Sequence, residues 1–106
     1  MPVAEIAAED LRDALVRGVT LIDVREAHEF EDGHVAGAVL IPLGTVPARI
    51  DEFRGVGTPY VICRSGGRSL NACEYLAQNG VEAINVAGGM LAWFDLGEPV
   101  VQGSNG

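Results

Sequence analysis

The chain contains no lysine. Its seven basic residues are all arginine and face fifteen acidic ones, giving a formal charge of −8. Such an acidic balance argues against nucleic acid and anionic membranes as partners. The missing lysine itself reads as a genome-composition effect. Long apolar runs are also lacking, and the longest falls far short of the ~18–20 residues that cross a bilayer. At the start, Met1-Pro2-Val3-Ala4-Glu5 has no basic region followed by an apolar core, so no signal peptide and a cytoplasmic protein are expected. Cysteine is scarce. Cys63 and Cys73 show no Cys-x-x-Cys spacing, which argues against zinc. With a helix starting near Arg68, Cys73 lies ~7–8 Å along its axis and Cys63 lies before its start. An intrachain disulfide is therefore not expected, in keeping with a reducing compartment.

At 106 residues the chain makes one domain, taken as residues 1–101, with a polar, glycine-rich tail at 102–106 expected to be flexible. A domain of this size buries roughly two-thirds of its unfolded surface, enough for a real core. Glu9 to Arg17 patterns as an amphipathic helix closed by Gly18. Thr20 to Val24, Val39 to Ile41, Pro59 to Ile62 and Val81 to Val86 read as strands, and the first is apolar enough to be covered on both faces. Helices are expected at Glu26 to Glu31, at Val46 to Phe53, at Arg68 to Asn79 and over Met90 to Phe94. Strands alternating with helices give an α/β domain with a mainly parallel sheet. In such sheets functional loops lie at the carboxyl ends of strands.

One loop carries most of the chemistry. Tyr60-Val61-Ile62 leads into Cys63-Arg64-Ser65-Gly66-Gly67-Arg68-Ser69, and a helix follows. A cysteine between a strand end and a helix start sits where outward N–H groups and the helix dipole favour an anion. A free thiol has a pKa of ~8.5, and a helix N-terminus with nearby cations lowers it into the reactive range. Gly66 and Gly67 allow N–H groups to turn inward as a nest. Ser65 and Ser69 offer hydroxyl donors, while Arg64 and Arg68 offer forked, charge-assisted ones. A purely structural cysteine needs none of these downstream residues. Four residues separate Cys63 from Arg68, one fewer than in the C-x5-R loop of cysteine phosphatases. The tighter ring leaves room for one extra sulfur on Cys63 rather than for a phosphate under attack.

Three ordered blocks resemble the single-domain rhodaneses, which are thiosulfate or persulfide sulfurtransferases. The first is Leu21-Ile22-Asp23-Val24-Arg25-Glu26 with Glu29-Phe30 and Gly33-His34-Val35-Ala36-Gly37-Ala38. The second is the Cys63–Ser69 loop, and the third is Gly88-Gly89-Met90-Leu91-Ala92-Trp93. The resemblance runs from about Ile6 to Val100. It implies a five-stranded, mainly parallel sheet with helices on both faces. It also implies that Cys63 carries sulfane sulfur as a persulfide, that Arg64, Ser65, Gly66, Gly67, Arg68 and Ser69 form its cradle, and that no metal or organic cofactor is needed. A small anionic donor such as thiosulfate would load the cysteine, and a thiol or cyanide, or a protein persulfide partner, would exchange the sulfur. Ser65 stands where some thiosulfate-preferring members have lysine. The different-class alternative is a module that senses persulfide or recruits a partner without turnover.

The other polar residues have plainer readings. Asp23 and Arg25 are expected to pair with each other or with Glu29 and fix a loop. His34 is expected to bond backbone and shape a turn, and His28 with His34 is too sparse for a metal. Glu26, Glu29, Glu31 and Asp32 read as a solvated face. Cys73 and Trp93 read as core, the latter as an anchor near the site.

Overall fold

Leu21-Ile22-Asp23 and Tyr60-Val61-Ile62 are buried at every position, so each must have cover on both sides. The chain supplies that cover by alternating strands with helices. A computed structural model describes residues 3–104. Met1, Pro2 and the last two residues of the expected tail lie outside the described residues. The strands are β1 (Ala4–Ala7), β2 (Leu21–Asp23), β3 (Val39–Leu40), β4 (Tyr60–Ile62) and β5 (Ile84–Ala87). They form one sheet in the order β1-β5-β4-β2-β3, and every pairing is parallel. The helices are α1 (Ala8–Val16), α2 (Ala27–Asp32), α3 (Gly67–Gln78) and α4 (Gly89–Asp95).

Side-chain alternation along the strands divides the core in two. Leu21, Tyr60, Ile62 and Val86 pack with Leu11 of α1, Phe30 of α2 and Met90 and Trp93 of α4. Ile22, Val61 and Cys63 face the opposite way, toward Ala72, Cys73 and Leu76 of α3 and toward Phe53. The five-stranded sheet with helices on both faces is therefore present as the resemblance implied.

Three local differences have physical causes. Ala4–Ala7 is a strand that the residue pattern does not announce, since only Ile6 among its four residues is even partly buried. The sheet recruits it through the β5 edge, in register from Ala4 with Ile84 to Ala7 with Ala87. The segment expected as a helix from Val46 is instead 3₁₀, over Leu43–Thr45 and Pro47–Phe53. Arg49 breaks it with non-helical torsions, and tight i→i+3 turns suit so short a connection. The last strand begins at Ile84 rather than Val81. Val81 is buried under α3, where its N–H donates to the Leu76 carbonyl at 2.9 Å, outside the ladder.

Beyond the sheet, His34 bridges to Val101 and stacks on Phe30 with ring centroids 3.6 Å apart. Its Nδ1 lies 2.7 Å from the Phe30 carbonyl oxygen. This is the backbone-shaping role expected of it. The Gly103 N–H donates to the Glu31 carbonyl, which sets the start of the tail against α2. No helix among the described residues is long and apolar enough to cross a membrane.

Candidate functional site

The parallel topology brings the carboxyl ends of β2, β4 and β5 to one edge, and Cys63 follows the central strand β4 there. Its chain reverses within Arg64-Ser65-Gly66 and enters α3 at Gly67. Gly66 makes this reversal with φ +108°, a left-handed conformation that only glycine adopts without strain. The Gly66 N–H then donates to Cys63 Sγ at 3.1 Å. The Ser69 hydroxyl, one turn into α3, donates to the same sulfur at 3.3 Å and to the Gly66 carbonyl at 3.2 Å. Cys63 is 1% exposed and Ser69 is fully buried.

Burial pushes the Cys63 thiol up. The Ser69 hydroxyl and the amides of Ser69, Gly66 and Ser65 more than offset that, and the net shift is downward. Hydrogen bonds to the charged form are the cause. Cys73, on the apolar stripe of the same helix, has no such donors among the described residues, and burial drives its thiol up to about 12. Both cysteines are free. One fold thus shifts one thiol down and the other up, and Cys73 lies in the core as expected.

The expected cradle is assembled only in part around the sulfur. Gly66, Ser69 and the Ser65 amide point to it. Gly67 instead opens α3. Arg68 turns to Glu29 and forms a forked ion pair, Nη1 to Oε1 at 2.7 Å and Nη2 to Oε2 at 2.9 Å. Glu29 is therefore not part of a solvated face, and that reading is corrected. Its carboxylate also accepts the Glu26 N–H at 2.9 Å in a capping box at the start of α2. One side chain thereby ties the α2 N-terminus to the active loop across 39 residues of sequence. A charged residue on a short exposed-looking helix gives no signal of a partner so distant.

The Arg68 guanidinium holds the Glu29 carboxyl down at about 2, against an ordinary 4.5. Because the folded carboxyl titrates below the unfolded one, its stabilisation is complete above pH 4.5 and is lost as pH falls toward about 2. Glu29→Gln is expected to cost ~1–2 kcal/mol near neutral pH, the scale of a forked but partly exposed pair. Urea unfolding at both ends of that range checks this: the gap between wild type and variant closes at the acid end.

Asp23 and Arg25 pair with each other, as expected. Arg25 Nε and Nη2 donate to both Asp23 carboxylate oxygens at 2.9–3.1 Å, and Nη2 also reaches the Gly33 carbonyl at 2.8 Å. This buried pair braces the rim of a cleft of about 210 Å³ beside the loop, whose walls include Arg25, Glu29, Arg64, Leu91 and Phe94. Arg64 is exposed on this rim and, among the described residues, has no carboxylate partner. Leu91 and Phe94 are 40% and 45% exposed.

The third sequence block explains itself by geometry. Gly88 and Gly89 have φ +80° and +54° and start α4 directly against the loop. The Met90 N–H donates to the Cys63 carbonyl at 2.8 Å and the Leu91 N–H to the Arg64 carbonyl at 3.0 Å. The first turn of α4 thus finds partners for donors that a helix N-terminus otherwise leaves open. Trp93 is buried, with its Nε1–H donating to the Pro99 carbonyl at 3.0 Å, and it anchors α4. No group of three or more His, Cys, Asp or Glu side chains among the described residues is arranged to hold a metal ion.

Comparison with known proteins agrees with this architecture. Residues 7–96 match the model of the rhodanese-like domain. YtwF of Bacillus subtilis is 38% identical over 95 residues, spanning 88% of this chain and 92% of its own. A sulfurtransferase of Allochromatium vinosum is 36% identical over 102 residues, spanning 93% and 95%. Among solved structures, a rhodanese-related protein of Thermoplasma volcanium superposes with a TM-score of 0.85 at 34% identity, covering 92% of this chain and 97% of that one. A loop that presents amide donors to a buried sulfur, on a parallel sheet ordered as here, and matches of this extent together make the chain a member of the rhodanese-like sulfurtransferase family.

Proposed function

We propose that Cys63 carries sulfane sulfur as a persulfide and that the chain is a turning-over sulfurtransferase. The observation that carries this reading is the pair of donors on Cys63 Sγ, the Gly66 amide and the Ser69 hydroxyl, with the accompanying downward shift of the thiol. A thiolate is the form that attacks sulfane sulfur. With thiosulfate as donor, the Cys63 thiolate attacks the outer sulfur, the sulfur–sulfur bond of thiosulfate breaks, and sulfite departs with the bonding pair. Cys63 then holds a terminal S⁻ that the same amides stabilise. Cyanide or a thiolate attacks this terminal sulfur, leaves as thiocyanate or a new persulfide, and returns the Cys63 thiolate. The chain's own residues supply every group the two steps need.

Arg64, exposed at the cleft and without a carboxylate partner among the described residues, supports a small anionic donor. Arg68, committed to Glu29, supports loop position more than donor contact. Gly67 supports the turn into α3. The apolar Leu91 and Phe94 beside Arg64 suit an organic thiol or a protein persulfide partner as acceptor. Two free cysteines suit a reducing compartment such as the cytoplasm.

Intact mass after incubation with thiosulfate, excess donor removed, tests the reading. The expected result is a gain of one sulfur atom that cyanide reverses. An unchanged mass, with Cys63 open to alkylation, would refute it. The burial of Cys63, at 1% exposure, favours one second reading: a module loaded stoichiometrically without turnover. Steady-state thiocyanate production separates the two, since the module yields a single equivalent.

A further inference from the structure

One polar side chain interrupts the interior of the sheet. Asn85 on β5 is 1% exposed and lies between Glu5 of β1 and Val61 of β4 in register. Asparagine fits a buried strand poorly, and valine or leucine would fill the place at no polar cost. The orientation of the amide is fixed by its neighbours. Nδ2 lies 2.7 Å from Glu5 Oε2 and 3.4 Å from the Gly66 carbonyl oxygen, and both of these accept only, so the NH₂ must face them. The Oδ1 then points elsewhere, and it is buried without a hydrogen-bond partner among the described residues. The fold tolerates this orphan acceptor, so the value of Asn85 lies in what its NH₂ reaches.

The carbonyl it reaches belongs to the residue that aims an amide at the sulfur. Gly66 holds φ +108°, and a Cβ there would meet the Gly88 nitrogen at 3.3 Å, so its backbone has little room. The Gly66 carbonyl also accepts from the Leu70 N–H at 3.1 Å and from the Ser69 hydroxyl at 3.2 Å. That hydroxyl has one proton and two acceptors, Gly66 O and Cys63 Sγ. When the sulfur is anionic, the hydroxyl keeps its proton and directs its hydrogen bond to the sulfur. Asn85 then supplies a donor that keeps the Gly66 carbonyl held.

We infer that Asn85 is a positioning residue, braced by Glu5, that fixes the Gly66 carbonyl and so keeps the Gly66 N–H and the Ser69 hydroxyl on the Cys63 thiolate. This rests on the reading of Cys63 as the reactive thiol. It assigns to a sheet residue outside the loop a share in the acidity of that thiol.

The pH profile of Cys63 alkylation by iodoacetamide in Asn85→Leu tests this without any sulfur transfer. The expected result is a profile displaced to higher pH and alkylation about threefold slower near neutral pH, the scale of one long hydrogen bond acting at one remove. Thermal stability is expected to be unchanged or higher, because the orphan oxygen is gone. Asn85→Val repeats the test with a better strand former. An unmoved profile in either folded variant would overturn the inference, as would failure of both variants to fold. Failure of the persulfide reading looks different: wild-type Cys63 alkylates readily at low pH yet gains no sulfur from thiosulfate.

Discussion

Cys63→Ser is expected to lower sulfur transfer by at least about 10³-fold while the protein stays folded. The serine hydroxyl keeps the hydrogen bonds from Gly66 and Ser69 within reach, so the loop has no reason to rearrange. Its oxygen is not ionised at neutral pH and forms no sulfur–sulfur bond. The stability change is expected to be small, about 1 kcal/mol, because a small buried group is exchanged for one of similar size. Thiocyanate production from thiosulfate and cyanide, read beside a thermal melt, checks both halves. Residual turnover near the wild-type rate would place the sulfur carrier elsewhere. Cys73 is the only other thiol, and burial keeps it protonated up to about 12.

Gly89→Ala is expected to cost about 3–4 kcal/mol and to disable the site together with the fold. Two penalties coincide. The residue has φ +54°, where a side chain adds strain of about 1 kcal/mol or more. A Cβ would also fall on the Cys63 carbonyl oxygen and within 2.7 Å of the Arg64 carbonyl oxygen. Those atoms are backbone and have no rotamer to yield. They are also the acceptors for the Met90 and Leu91 amides. Relief of the clash must therefore move α4 away from the loop and open both bonds. Urea denaturation measures the loss, and Cys63 alkylation in the surviving folded fraction measures the site. A control, Gly97→Ala, has φ +73° but open space around its Cβ. It is expected to lose only the conformational part, ~1 kcal/mol. Equal losses for the two variants would show that the close approach contributes nothing.

Much of this site is legible in the sequence for a local reason. The donors that touch Cys63 Sγ come from Gly66 and Ser69, three and six residues downstream. A strand end, a glycine turn and a helix start suffice to bring them back. The strand β2 is legible because burial on both faces writes itself as a nearly continuous apolar run, broken only by Asp23. What is not legible depends on distance. Glu29 meets Arg68 across the fold, so its acidic neighbours on α2 suggest solvent. The arginine beside the cysteine suggests direct charge stabilisation, yet the hydrogen bonds of Ser69, Gly66 and Ser65 are the main causes that lower the thiol, and the charge that interacts with it is that of Arg68. β1 is a strand because β5 has an open edge to pair with, and Ala4-Glu5-Ile6-Ala7 carries no alternation of its own. Asn85 likewise gains meaning only once Gly66 lies above it.

The expected acidity also sets the pH dependence of transfer. Sulfur loading is expected to rise with pH through the folded Cys63 pKa, with its midpoint below 9.0, the ordinary thiol value, and to level off above that midpoint as the thiolate fraction saturates.

The ultraviolet absorbance of thiolate, followed against pH, bears most directly on the central claim. Two separated steps are expected, one below 9.0 from Cys63 and one near 12 from Cys73, with Cys63→Ser removing only the lower. A single step at or above 9.0, or a lower step that survives Cys63→Ser, would contradict the account.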